Sequence, residues 1–363
     1  MIKKRLFQYI FIILTAVVGF FSCERNDAEP DLQMRRFSRL YVSFEGFGSS
    51  NTVPDSNVRT IYPADSTSIF RFSQAHVSNA QGGGPIFYQF TLETLFQASA
   101  NLNGVNDTSA YILNVGRSTG VLKNVGRMGN RLFNSVRGMA YHELSNRLFI
   151  VNGSGANAGV YVMDSPRSRT GFAPPVKKLQ TQGYQMWGAA YANNKLLVSR
   201  LGAGGGLCVF DNITTVDVRP TDSIADLRSN ARTLPIEGAQ NLRGLCYDTV
   251  KNVLAIADFS NDGAASSGRI LVFENFSEII NSVTGTMIRP TRIITGEATG
   301  LTQPVEVVID PRETGTYMYV ADRGSRVISR FSISDDGNVA PNQTLSTGNQ
   351  IPVGLAIDVR AQQ

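Results

Sequence analysis

Four side chains in this sequence could act together. Arg137, Trp187 and Arg243 each stand one residue before the same point of a recurring segment. Glu306 stands at that point itself, where the other copies have Gly138, Gly188, Gly244 and Gly354. Two guanidinium forks suit carboxylates and phosphates, and the single tryptophan of the chain offers a stacking surface to a sugar or an aromatic ring. A carboxylate that replaces glycine at a crowded position needs a partner, because an unpaired buried charge costs several kcal/mol. Arg137 and Arg243 are its predicted partners, either in a structural ion pair that closes a channel or as walls of a polar ligand site. A second ring of candidates, Asn152, Arg200, Asp258, Asp322 and Arg323, follows the next apolar run of each segment. Asp258 and Asp322 share one position and read more readily as turn or strand caps than as catalysts.

The elements that must position these residues are short strands. Val136-Arg137-Gly138-Met139-Ala140-Tyr141 is followed by Arg147 to Asn152 and by Gly159 to Met163, and the pattern returns from Trp187, from Arg243 and from Pro304. Units of about fifty residues holding four short strands each are the signature of propeller blades. Fourth strands are expected at Val176 to Leu179, Arg289 to Ile294 and Gln343 to Leu345. Pro352 to Asp358 repeats only a first strand, whereas Arg39 to Ser43 reads as a second strand lacking its first. Pairing these two closes a ring and leaves no open edge at the joint. With one degenerate blade around residues 90 to 135, the count is six, and seven is the alternative because residues 44 to 135 are hard to partition. The expected fold is therefore an all-β, six-bladed propeller.

The strands Tyr317 to Asp322 and Arg326 to Phe331 look like the core of an NHL repeat, and the chain resembles NHL-type propellers over residues 136 to 358. That resemblance implies a central channel lined by first strands, with ligands at the face where those strands begin. Propellers of this shape include lactonases, lyases and interaction scaffolds, so function has to be argued from the site. Six-bladed lactonases hold calcium through acidic and amide oxygens near the axis, which invites comparison with Glu306. The other anchors here are glycines, and a hard cation wants six or more oxygens. With only His76 and His142 in the chain, a histidine-rich zinc site is not expected either. No metal and no cofactor is predicted. Gly202 to Gly206 reads as a hairpin loop, since it opens no helix that could cradle a phosphate.

Lys3, Lys4 and Arg5 precede an apolar stretch from Leu6 to Phe21, and Ser22-Cys23 follows. A charged start, an apolar core and a small residue at the cut make residues 1–22 a signal peptide. The order Gly19-Phe20-Phe21-Ser22-Cys23 resembles a bacterial lipobox, which implies acylation of Cys23 and attachment to a membrane surface without a span. Residues 23–37 read as a flexible tether and residues 38–363 as the propeller. The net charge is +5, and loss of Lys3, Lys4 and Arg5 leaves +2 on the mature side chains, without the basic stripe of a phosphate-tracking surface. Nucleic acid is thereby rejected as a partner. Cys208 and Cys246 sit in apolar runs and are expected to be buried thiols, a disulfide between them being left open. The leading expectation is a lipid-anchored envelope protein, in the outer membrane and facing the periplasm or the cell surface. It would bind a glycan, peptide or protein partner without turnover. The competing expectation is a hydrolase or lyase for a polar, sugar- or lactone-like substrate, with Glu306 as its acid and the two arginines as anion binders.

Overall fold

The computed structural model describes residues 37–46, 56–101, 106–153, 155–179, 184–202, 204–213, 231–261 and 267–360. The signal segment, Cys23 and the tether up to residue 36 lie outside the described residues. Within them, alternation of apolar side chains along short strands produces six antiparallel sheets. Blade 1 is composite. Its innermost strand is Pro352–Arg360, followed outward by Phe37–Phe44, Val58–Ile61 and Phe72–His76. Blade 2 runs from Ile86–Gln89 through Thr94–Ala98 and Ser109–Val115 to Leu122–Gly129. A two-residue parallel strand, Gly171–Phe172, adds to its outer edge. Blades 3 to 6 begin at Met186–Ala192 for blade 4, Leu245–Asp248 for blade 5, Pro304–Ile309 for blade 6 and Val136–His142 for blade 3, each with three further strands outside.

The expected ring closure is therefore present, and the degenerate blade lies at 86–129, slightly earlier than its predicted place. The fourth strands fall at Lys177–Leu179, Arg292–Thr295 and Gln343–Ser346, within the predicted segments or a residue beyond, and blade 4 adds Ala231–Pro235.

Strands of this fold are apolar on both sides because each blade is packed on both sides. Successive side chains point to opposite faces of a strand. In blade 3, Leu148 and Ile150 pack with Phe96 and Ile112 of blade 2, whereas Phe149 and Val151 pack with Leu196 and Val198 of blade 4. The same alternation builds a core between blades 4 and 5, 5 and 6, 6 and 1, and 1 and 2. Six inter-blade cores around six blades account for the count of six rather than seven.

The glycine anchors mark where neighbouring first strands come closest. A Cβ on Gly138 would stand 2.5 Å from the Trp187 carbonyl oxygen, and one on Gly188 would stand 2.7 Å from the Leu245 nitrogen. Gly244 differs, because there the Glu306 carboxyl group itself occupies the space that a Cβ would take. Overpacking of this kind costs about 1–3 kcal/mol. Gly244→Ala is accordingly expected to lower stability in chemical denaturation, and Glu306→Gly in the same chain is expected to restore part of it, since the Glu306 Cα would still lie 2.8 Å away.

Candidate functional site

The mouth of the axis is built from two repeat positions. The residues before the anchors supply Arg137, Trp187, Arg243, Val305 and Val353. The residues that end or directly follow the second strands supply Glu45, Gly153, Phe259 and Arg323. Arg137, Trp187 and Arg243 converge as predicted. The Arg243 guanidinium carbon lies 4.3 Å from the centre of the Trp187 ring and 4.8 Å from that of Phe259, and the Arg137 carbon lies 5.0 Å from Trp187. Arg137 donates to the Ala100 carbonyl at 2.6 Å and Arg243 to the Leu242 carbonyl at 3.3 Å. Neither arginine has a carboxylate within ion-pairing distance among the described residues. Burial pushes each guanidinium down to about 10, and Arg137 adds repulsion at Arg243. A crevice of about 10 Å³ lies between Gly84, Arg137, Trp187 and Arg323 at this face.

Arg323 joins the mouth through an ion pair with Glu45, at 2.9 Å and with Glu45 buried. Glu45 escaped the sequence reading because it begins the irregular segment after Phe44. Its place in the repeat, equivalent to Arg323, was the available signal. The rest of the second ring does not face the mouth. Asn152 accepts from the Ser135 amide at 2.7 Å, Asp258 from Asn241 at 2.6 Å and Asp322 from Thr302 at 2.6 Å, each pinning the loop that leads into its own blade. Asp258 also holds Arg269 at 2.6 Å. Arg200 caps the Gly204 carbonyl and stacks on Tyr184 at 4.7 Å. Alternation along the strand explains the difference, because a step of one residue moves a side chain to the other face.

Glu306 lies elsewhere. It lines a cavity of about 220 Å³ on the other side of the anchor ring, with Met139, Tyr141, Tyr191, Cys246, Tyr247 and Tyr88 among its neighbours. No ion pair joins it to Arg137 or Arg243, and its one hydrogen bond comes from the Val307 amide at 3.3 Å. The predicted Glu306 ion pair is therefore absent from the described residues, and the reason is positional: the carboxyl folds back over Gly244, away from the residues that precede the anchors. Burial pushes its carboxyl up to about 8. The tyrosine hydroxyls reach the hairpins at the far end, Tyr141 to Asn146 at 2.7 Å, Tyr191 to Asn194 at 2.9 Å and Tyr247 to Asn252 at 3.2 Å. Cys208 and Cys246 are free thiols, pushed by burial up to about 11 and about 12. His76 pairs with Asn124 and His142 with Ser145, in different blades.

Fold and axial geometry together define a six-bladed β-propeller with a cationic, tryptophan-centred mouth. No protein-family model matches the chain, and no curated relative does. Among solved structures it is similar to a periplasmic gluconolactonase of Pseudomonas aeruginosa, with a TM-score of 0.58 and 15% identity over 90% of this chain and 99% of that one. It is also similar to a chain of a nidogen/laminin complex, with a TM-score of 0.56 and 12% identity over 88% of this chain and 98% of that one. At such identities the likeness shows the fold.

Proposed function

We propose that this chain is a ligand-binding propeller of the NHL type whose axial mouth recognises a carboxylate or phosphate group. One observation carries the reading: two half-buried guanidinium groups, both stacked on Trp187, make no ion pair among the described residues, and Glu45 and Asp258 act on them only from longer range. An incoming anion would supply the counter-charge that burial withholds, and Arg forks would fix its orientation. The hydrolase or lyase reading needs Glu306 and the arginines around one substrate, and their separation by the anchor ring speaks against it. The likeness to a lactonase and to a protein from a complex is compatible with small-molecule or macromolecular ligands alike.

The same proposal places the propeller at a membrane surface of the envelope, through an acylated Cys23. Globomycin treatment and mass spectrometry of the mature N-terminus test that part, with an unacylated product cut elsewhere refuting it.

The site is tested by thermal shift against organic acids, sugar phosphates and neutral sugars. A ligand at 100 times its dissociation constant stabilises by about 2.7 kcal/mol. Acids and phosphates are expected to shift the transition and neutral sugars are not. Arg243→Ala or Trp187→Ala should each weaken binding about tenfold or more, by loss of a charged hydrogen bond or of the stacking platform. Equal binding by the two variants and the unchanged protein would remove the mouth from consideration.

A further inference from the structure

We infer a second ligand site: the cavity beyond the anchor ring takes a small organic ammonium ion, with the charge seated at Glu306 and the carbon body against the tyrosine-lined wall. The site is separate from the cationic mouth and does not depend on that reading. Of the residues lining the cavity, Glu306 is the single charged one; the rest are apolar, aromatic, glycine or the thiol Cys246. A half-buried carboxyl at a cavity wall, without a cationic partner among the described residues, is best matched by a cation. Tyr88, Tyr141, Tyr191 and Tyr247 come from four successive blades and line the same space. Aromatic rings attract ammonium groups most strongly where water is excluded.

Other ligand classes fit worse. An anion would meet Glu306 without a positive side chain on the lining. A neutral apolar molecule would leave the carboxyl unpartnered. A divalent metal would find one carboxylate where six or more oxygens are wanted. The volume of about 220 Å³ is below that of a drug-sized pocket, which restricts the ligand to a compact amine.

The ionisable groups on the elements around Glu306 do not compete for this role. Cys246, on the blade 5 strand, is kept as a thiol by burial and receives the Ile309 amide at 3.4 Å. Asp322, on the next strand of blade 6, is occupied by Thr302, Gln303 and Ser325, and Asp358 of blade 1 faces Arg39 at 3.3 Å. Tyr247 holds Asn252. Because burial raises the Glu306 carboxyl to about 8, seating an ammonium group at neutral pH displaces its proton.

Calorimetric titration of the full chain with phenethylamine, at about pH 6.5 and in two buffers of different ionisation enthalpy, reads affinity and proton release together. Phenethylamine is expected to bind with release of about one proton per molecule. Phenethyl alcohol, its neutral isostere, should bind at least tenfold more weakly and release none. Glu306→Gln should weaken phenethylamine at least tenfold and abolish the release while keeping its cooperative thermal transition. Equal affinity for amine and alcohol, proton release that persists in Glu306→Gln, or no binding of phenethylamine at millimolar concentration would overturn the assignment.

Discussion

Removal of residues 352–363 is expected to abolish cooperative folding of the ring. The lost strand is the innermost of blade 1 and carries the buried side chains Leu355 and Ala356 into the cores shared with blades 6 and 2. Burying one aliphatic side chain contributes about 1.5–3 kcal/mol. The cut also removes Asp358, which pairs at 3.3 Å with Arg39, itself 3% exposed, and breaking a buried ion pair costs about 3–5 kcal/mol. Together with the lost strand-to-strand hydrogen bonds, these terms reach the whole stability of an ordinary domain, about 5–15 kcal/mol. The truncated protein should lose its near-ultraviolet dichroism and elute as aggregates in gel filtration. Asp358→Ala alone should remain folded with a clearly lower melting temperature. A truncated monomer that melts cooperatively within a few degrees of the intact chain would show that ring closure is dispensable.

Glu306→Gln is expected to stabilise the ligand-free protein at neutral pH. The carboxyl is raised from its ordinary 4.5 to about 8 by burial, so between these values the folded chain binds a proton that the unfolded chain has released. Stability therefore falls as pH rises from about 4.5 to about 8, and glutamine, neutral in both states, removes that slope. At pH 7 the gain should be about 2–3 kcal/mol, from about 1.4 kcal/mol for each pH unit above the unfolded value, lessened by water in the cavity. Below about pH 4.5 the two proteins should converge. Urea denaturation across this range decides the matter: parallel profiles would mean that Glu306 is ionised in the fold, with a partner that supports it.

Both effects bear on how the molecule divides its axis. The mouth holds fixed positive charge, whereas the cavity holds one acid whose carboxyl burial raises. Propellers permit this division because each blade contributes one inner strand, and a single residue at a given level of six strands sets the character of a whole chamber.

The amino-acid sequence by itself determined the blade count, the closing strand and the convergence of Arg137, Trp187 and Arg243. These follow from a repeating strand register, and a register is a local property: an apolar run with period two and a glycine where strands crowd together read the same in every copy. It also marked Glu306 as exceptional, since a carboxylate stands where the other copies have glycine. Only the tertiary structure decided which chamber that carboxyl faces, because the turn of its side chain over Gly244 depends on the neighbouring blade. It likewise separated Arg323 from Asn152, Arg200, Asp258 and Asp322, whose side chains point one strand face away. Glu45 became visible only when the composite blade brought it to Arg323, across 278 residues of chain. Local pattern fixes which residues line up; the packing of one blade on the next fixes which side of the axis each of them meets.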